Sequence, residues 1–383
     1  MANIFVTVRK SNISAPVIAL TLFAVASGYL MSLVPLILPY YGLDVGMSSW
    51  LASTFYAGLL LGTLFVEPIL SRYGHRHAFV GCLLGFILSV VALPSLTNIA
   101  SWLAARFLAG YAEAGLFVIV ESWLLHGDET TRAKRLGVYM AALYGGTSIG
   151  QFGISLFATS GVVPFLTILV ILLISIVVIM FGHCQQPEKQ VSSPLSLKRI
   201  GQLSQPALIG SLVSGLTISA VYGLMPLELL NIGLQHEYIG SLMGLFIIGG
   251  VMVQPIVPWL SKSLSHIVLM VVFCLFGSVA IAAGLVGQGV GVLSISLFAL
   301  GMAMFALYPI AINLGCTKLE PDAIVPATQV MLFVYSAGSI VGPLIAEMFM
   351  REEHGLLGYL LATLVVTCGY MLLAKARNRY VVT

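Results

Sequence analysis

Three ionisable residues lie within one long apolar stretch of the sequence. Arg106, Glu113 and Glu121 fall between positions 101 and 125, seven and eight residues apart. At 100° per residue, a helix places Glu113 about 20° from Arg106 and Glu121 about 60° to the other side. The spacing therefore predicts one helix face that carries an arginine and two carboxyl groups. Glu228, near the end of another apolar stretch, is a fourth candidate.

These residue types suit proton or solute transfer. A carboxyl group shielded from water can exchange a proton near neutral pH, and a neighbouring arginine favours its charged form. The alternative is an ion pair that fixes one helix against its neighbour. Glu121 could equally lie at the membrane rim, and Glu228 could contact either a substrate or interfacial water. Proton coupling or substrate contact is the function we assign to Arg106, Glu113, Glu121 and Glu228.

The composition predicts that these residues lie in a membrane. Of the 383 residues, 59% are hydrophobic and 8% are charged, and the mean hydropathy is +1.04. Soluble domains carry about 25% charged residues, so a soluble enzyme, a disordered chain and a nucleic-acid binder are excluded. The net charge of +3 is too small for a polyanionic partner. Spans of about 20 residues leave room for about twelve helices.

Twelve apolar segments are separated by short polar breaks. They predict an all-α membrane protein with helices over 15–40, 48–70, 78–96, 101–125, 135–159, 162–182, 206–230, 238–260, 266–286, 290–315, 326–350 and 355–375. With both termini in the cytoplasm, fifteen of the seventeen Lys and Arg residues lie on the cytoplasmic side, as the positive-inside rule requires. We therefore expect a multi-pass inner-membrane protein with cytoplasmic termini.

The sequence also contains a weak internal repeat. A shift of 191 residues aligns Leu33–Leu38 with Leu224–Leu229, Gly58 with Gly249, Gly110 with Gly301 and Tyr144 with Tyr335. Parallel repeats of this kind are typical of transporters. The repeat predicts two pseudo-symmetric six-helix bundles, over 1–182 and 206–383. Residues 183–205, which contain Pro and Ser among basic residues, are interpreted as a cytoplasmic linker.

Glycine pairs four residues apart add a second regularity. Such pairs let helix backbones approach closely. They predict that the helices carrying them meet where the two bundles join; the alternative is ordinary packing in a glycine-rich chain. The pairs are Gly58/Gly62, Gly146/Gly150, Gly240/Gly244 and Gly338/Gly342.

Several local motifs resemble those of the major facilitator superfamily. The segment Ser71-Arg-Tyr-Gly-His-Arg76 resembles the family's loop signature G-x-x-x-D-R-x-G-R-R, with Ser in place of the Asp. Arg106-Phe-Leu-Ala-Gly110 is similar to its R-x-x-x-G motif, and Gly146-Thr-Ser-Ile-Gly150-Gln151 to its antiporter motif, with Gln in place of Pro.

The resemblance implies a central cavity and a gate. The gating candidates are Glu67, Arg72, Gly74 and Arg76. Polar and aromatic residues on the helices expected to line the cavity are its candidate wall, with the repeat equivalents Tyr144 and Tyr335 as the best pair. The remaining candidates are Tyr29, Gln151, Tyr222, Gln254, Tyr308 and Asn313. Each of these residues could instead serve helix packing.

The expected function is proton-coupled secondary active transport of a small solute by alternating access. Export of drugs or siderophores by antiport is the alternative, and a membrane-embedded enzyme or a sensor is a weaker one. We expect a monomer that binds a small-molecule substrate, protons and the lipid bilayer, with no nucleic acid, metal or cofactor. Its five cysteines form no CxxC pair, and no nucleotide-binding loop is present.

Overall fold

The computed structural model describes residues 14–124, 129–157, 159–182, 204–287, 289–317, 321–351 and 355–380. Within these ranges the ordered elements are helices. Short 3-10 turns over Leu38–Tyr41 and Val45–Met47 follow the first of them. The α-helices are α1 Ser14–Ile37, α2 Ser48–Ser95, α3 Ile99–Leu124, α4 Glu129–Leu156, α5 Val163–Phe181, α6 Gln205–Asn231, α7 His236–Val253, α8 Ile256–Leu260, α9 His266–Val286, α10 Val290–Cys316, α11 Pro321–Phe349 and α12 Gly355–Tyr380.

Ten helical stretches of the described residues are long and apolar enough to cross a membrane. One of them, Val45–Ser95, has 51 residues, about twice the length of a single span. It breaks at Gly74, whose φ of 75° and ψ of 166° are not helical. Glycine adopts positive φ without the steric cost that a side chain adds. The break lies in the turn predicted between the helices over 48–70 and 78–96.

The helix predicted over 238–260 is interrupted. The structure divides it into α7, which ends at Val253, and α8, which begins at Ile256. Pro255 stands between them and lacks the N–H that would continue the helical hydrogen bonds. The interruption leaves Gln254 at the end of α7.

The sequence repeat is matched by equivalent packing. A Cβ added to Gly58 would overlap the carbonyl oxygen of Phe107, and one added to Gly249 would overlap that of Phe298. The members of each pair lie 191 residues from their equivalents. Gly110 and Phe55 show the same relationship to Gly301 and Phe246. Thus α2 packs on α3 as α7 packs on α10, with backbones in direct contact.

The helices that carry the glycine pairs do meet where the halves join, α4 against α7 and α2 against α11, but three of the four pairs themselves face a helix of their own half. Gly58/Gly62 pack on α3, Gly146/Gly150 on α1, and Gly338/Gly342 on α6, all within one half of the chain. Only Gly240/Gly244 of α7 lies against a helix of the other half, α4. Small residues mark the closest backbone approach, and that approach occurs mainly within each half.

The predicted linker over 183–205 falls almost entirely outside the described residues, as do Arg9 and Lys10 near the N-terminus. The domain boundary therefore stays a prediction.

Candidate functional site

A cavity of about 560 Å³ lies between helices from both halves of the chain. Its wall comes from α1, α2, α3, α4, α6, α10 and α11, together with Gln254 at the end of α7. The wall is mainly apolar and aromatic, with a few polar groups. It consists of Ser27, Met31, Phe55, Tyr56, Leu59, Glu113, Phe117, Met140, Leu143, Tyr144, Thr147, Ile218, Tyr222, Gln254, Phe305, Tyr308, Pro309, Ile312, Asn313 and Tyr335.

Glu113 supplies the carboxylate of this cavity. It lies in the interior of α3, and only 6% of its surface is exposed. The Ser27 hydroxyl of α1 donates a 2.7 Å hydrogen bond to its Oε2 atom. Among the residues that the structure describes, no other charged side chain lines the cavity. A single negative group therefore faces a largely apolar space.

Aromatic rings from both halves meet across the cavity. The ring of Phe305 on α10 lies 5.5 Å from Tyr144 and 6.4 Å from Tyr222, both edge to face. Tyr308 and Tyr335 lie 4.8 Å apart, centroid to centroid. Edge-to-face pairs stabilise packing by about 0.5–1.5 kcal/mol beyond burial, so these contacts hold the wall in a defined shape.

Arg106 lies apart from the Glu113 carboxylate. Its guanidinium is 4.4 Å from the centroid of the Phe55 ring, and the side chain lines a separate small void that includes Ser48 and Ala52. Its Nε atom has no hydrogen-bond partner within the described part of the chain. The structure, which describes both side chains, shows no direct ion pair between Arg106 and Glu113.

The other two acids predicted at the site do not line the cavity. Glu121 is exposed in the last turn of α3. Residues 106 and 121 are about 22 Å apart along a helix. Arg106, Glu113 and Glu121 therefore share one face of α3 but lie at three different depths in the membrane. Glu228 is 2% exposed, near the end of α6 and outside the cavity wall, which contradicts contact with interfacial water.

Six of the eight predicted cavity residues lie on the wall: Tyr144, Tyr222, Gln254, Tyr308, Asn313 and Tyr335. Gln151 does not, because its Nε2 donates to the Gly28 carbonyl at 2.9 Å and its Oε1 accepts from Ser32. These bonds join α4 to α1.

Tyr29 also lies outside the cavity. It is buried, and its ring stacks on Phe157 at 6.1 Å. Two residues along α1 turn a side chain by about 200°, so Tyr29 points away from the face that carries Ser27. Ser27 and Met31, four residues apart, share that face and line the wall. This spacing is the signal by which Ser27 could have been found.

The predicted gating residues surround the break in α2. Gly74 forms the break itself, and the Arg76 guanidinium donates 2.7 Å to the carbonyl oxygen of Gly182, just after α5. Arg72 lies over the ring of Tyr73 at 5.6 Å, and both are exposed, as is Glu67. Arg76 therefore ties the α2 break to the end of α5.

The two halves of the chain meet at the end of the helices opposite this break. Ser49 donates to the Glu347 carboxylate of α11, and Ser155 of α4 donates 2.5 Å to the carbonyl oxygen of Glu237. A Cβ on Gly223 would lie 2.6 Å from that of Ala52. We call this the closed end, because residues of both halves contact each other there. Glu347 therefore bridges the two halves at this end.

Comparisons with known proteins agree with this architecture. The family model described as Major Facilitator Superfamily matches residues 17–343. A relative from Yersinia pestis (strain Pestoides F), called an uncharacterized MFS-type transporter, is 31% identical over 368 residues, 93% of this chain and 94% of its own.

Two solved structures share the fold. The nucleoside transporter NupG has a TM-score of 0.77 at 12% identity and covers 94% of this chain and 98% of its own. A bacterial homologue of the human lysosomal transporter Spinster, in an inward-facing and unoccupied conformation, has a TM-score of 0.73 at 13% identity and covers 95% of each chain.

Proposed function

Because the chain belongs to the major facilitator superfamily, we propose that it carries a small solute across a bacterial inner membrane by proton-coupled, alternating-access transport. The ten apolar stretches, the break within Val45–Ser95 and the additional helix α4 support twelve spans. The equivalent glycine contacts of α2/α3 and α7/α10 support two six-helix bundles over 1–182 and 206–383. Residues 183–205 are the linker between them.

The position of Glu113 is the main observation that supports proton coupling. Glu113 is nine-tenths buried and faces the cavity, and among the described residues its one direct polar partner is the neutral hydroxyl of Ser27. An ionised carboxylate in such surroundings is costly unless a cation approaches it. Gain and loss of a proton at Glu113 therefore change the charge of the cavity. Arg106, behind the Phe55 ring, adds a positive field from the neighbouring void.

Alternating access is supported by the unequal ends of the molecule. The closed end joins α2 to α11 and α4 to α7, whereas the cavity reaches Met140 and Asn313 toward the other end. With both termini in the cytoplasm, the closed end is periplasmic and the cavity belongs to an inward-facing state. The Gly74 turn and Arg76 then lie at the cytoplasmic gate.

Proteoliposomes that contain a pH-sensitive dye test this function. Amino acids, sugars, nucleosides, carboxylates, siderophores and cationic drugs are added in turn, and internal pH is recorded. At least one class should move protons with the wild type and none with Glu113→Gln. Glu121→Gln, an exposed acid on the same helix, is the matched control. Solute uptake that follows the pH gradient equally well in Glu113→Gln would overturn the proposal.

A further inference from the structure

We propose that the solute is a monovalent lipophilic organic cation, which binds in the cavity opposite Glu113 and is exchanged for a proton. The inference rests on the proposed function and names its substrate class. It is carried by three features of the wall: its charge, its aromatic rings and its volume.

The charge of the wall selects for a cation. Within the described part of the chain, Glu113 is the one Asp, Glu, Lys, Arg or His that lines the cavity. A ligand with one positive charge compensates this carboxylate where water cannot, and an anionic ligand is repelled by it. Arg106 offsets part of this negative charge through its electrostatic interaction with Glu113, but its guanidinium lies over Phe55 and lines an adjoining small void, so it does not occupy the cavity itself.

The rings of the wall offer a second source of attraction. Five tyrosines and three phenylalanines line the cavity together with Glu113. Ring faces attract cations, and sets of aromatic side chains recognise quaternary ammonium groups. They come from both halves of the chain: Phe55, Tyr56, Phe117, Tyr144, Tyr222, Phe305, Tyr308 and Tyr335.

Three uncharged polar groups of the wall form hydrogen bonds within the protein. The Thr147 hydroxyl donates 2.8 Å to the Leu143 carbonyl, and the Gln254 amide donates 3.1 Å to the Gly250 carbonyl. The Ser27 hydroxyl is bound to Glu113. The wall also contains five tyrosine hydroxyls and the Asn313 amide, which can bind polar groups of the solute.

The volume suits a bulky apolar body. About 560 Å³ lies within the range of sites for drug-sized ligands. Met31 and Met140 are in the wall, and flexible methionine side chains adapt to ligands of different shape. The predicted ligand is thus an apolar or aromatic body with one delocalised positive charge.

The exchange of a cation for a proton follows if both bind to the Glu113 carboxylate. When the cation enters, the O–H bond of protonated Glu113 breaks, the electron pair stays on the carboxylate, and the proton leaves to water. One positive charge replaces another, so the exchange of one cation for one proton is electroneutral. Proton and cation cannot occupy the carboxylate together, and this competition makes the protein an antiporter.

A pair of ions of the same shape tests the proposal. Tetraphenylphosphonium and tetraphenylborate differ in the sign of their charge. Each is titrated calorimetrically into the full-length protein in detergent, with empty micelles subtracted. The wild type should bind the phosphonium at least tenfold more tightly than the borate, and more weakly as the pH falls. Glu113→Gln should lose at least tenfold in phosphonium affinity and its pH dependence, whereas Glu121→Gln should behave as the wild type.

Equal affinity for the two ions, or an unchanged affinity in Glu113→Gln, would overturn the substrate class. If Glu113→Gln does not fold, Tyr308→Leu should weaken phosphonium binding severalfold, and unchanged binding would count against the aromatic contribution. Binding in detergent requires no transport. If the protein does not bind the phosphonium but transports another solute together with protons, only the cationic substrate class is rejected. If it binds the phosphonium but moves no protons in liposomes, the proposed proton-coupled transport is rejected.

Discussion

The Ser27 hydroxyl donates a 2.7 Å hydrogen bond to the Glu113 carboxylate across 86 positions of sequence. The bond joins α1 to α3 at the wall of the cavity, and it orients the single charged group there. We expect Ser27→Ala to retain phosphonium binding within a few-fold, because the carboxylate remains, while lowering the free energy of unfolding by about 1 kcal/mol. Calorimetric titration and thermal melts measure the two effects. A loss of binding as large as that of Glu113→Gln would contradict this assignment.

Proton and cation should compete for one site. In the pH range where Glu113 is mainly protonated, phosphonium affinity should fall about tenfold for each unit by which the pH is lowered, because each bound cation then releases one proton. The slope should approach zero in Glu113→Gln. Titrations at five pH values in two buffers of different ionisation enthalpy count the released protons directly. A count near zero throughout would show that the proton binds elsewhere.

Backbone contact between α2 and α3 should be intolerant of a methyl group. Gly58→Ala places a Cβ against the Phe107 carbonyl, and Gly249→Ala does the same at Phe298. Overpacking costs about 1–3 kcal/mol, so both variants should melt earlier. Gly81→Ala, in the same element as Gly58 but with open space around its Cβ, should melt no earlier than the wild type. Similar melting of all three variants would contradict the proposed packing.

Gln151 should be structural and not part of the binding site. Gln151→Ala removes the partner of the Gly28 carbonyl and of the Ser32 hydroxyl, and an unsatisfied buried polar group costs about 1–3 kcal/mol. The variant should melt earlier, yet bind the phosphonium with unchanged affinity once folded. Loss of affinity without loss of stability would place Gln151 at the cavity after all.

Weakening the closed end should favour its opening. Ser49→Ala removes the hydrogen bond to Glu347. In a cysteine-free protein that carries Ala52→Cys, a membrane-impermeant maleimide added from outside should then label position 52 severalfold faster. Ser95→Ala, which removes a bond to Val91 within the same helix, serves as the control. Equal labelling rates in both variants would show that the Ser49 hydrogen bond does not hold the closed end shut.

Much of the helical architecture was predictable because hydrocarbon admits few alternatives to continuous helices. The turn at Gly74 was found from a break in hydropathy. By contrast, the split between α7 and α8 depends on one proline whose local effect hydropathy does not reveal. Glu113 was found because an acid deep in an apolar helix is conspicuous. Tyr29 and Gln151 were wrongly predicted to line the cavity because residue type does not show which face of a helix points toward the cavity. Ser27 was not predicted for the same reason.

The paired glycine contacts have a mechanical consequence. Where two helix backbones touch without intervening side chains, one helix cannot easily slide along the other. We therefore expect α2 with α3, and α7 with α10, to move as rigid pairs. Tyr144 of α4 and Phe305 of α10 instead meet through their rings across the cavity. We therefore expect an occupant of the cavity to alter the spacing between α4 and the α7/α10 pair.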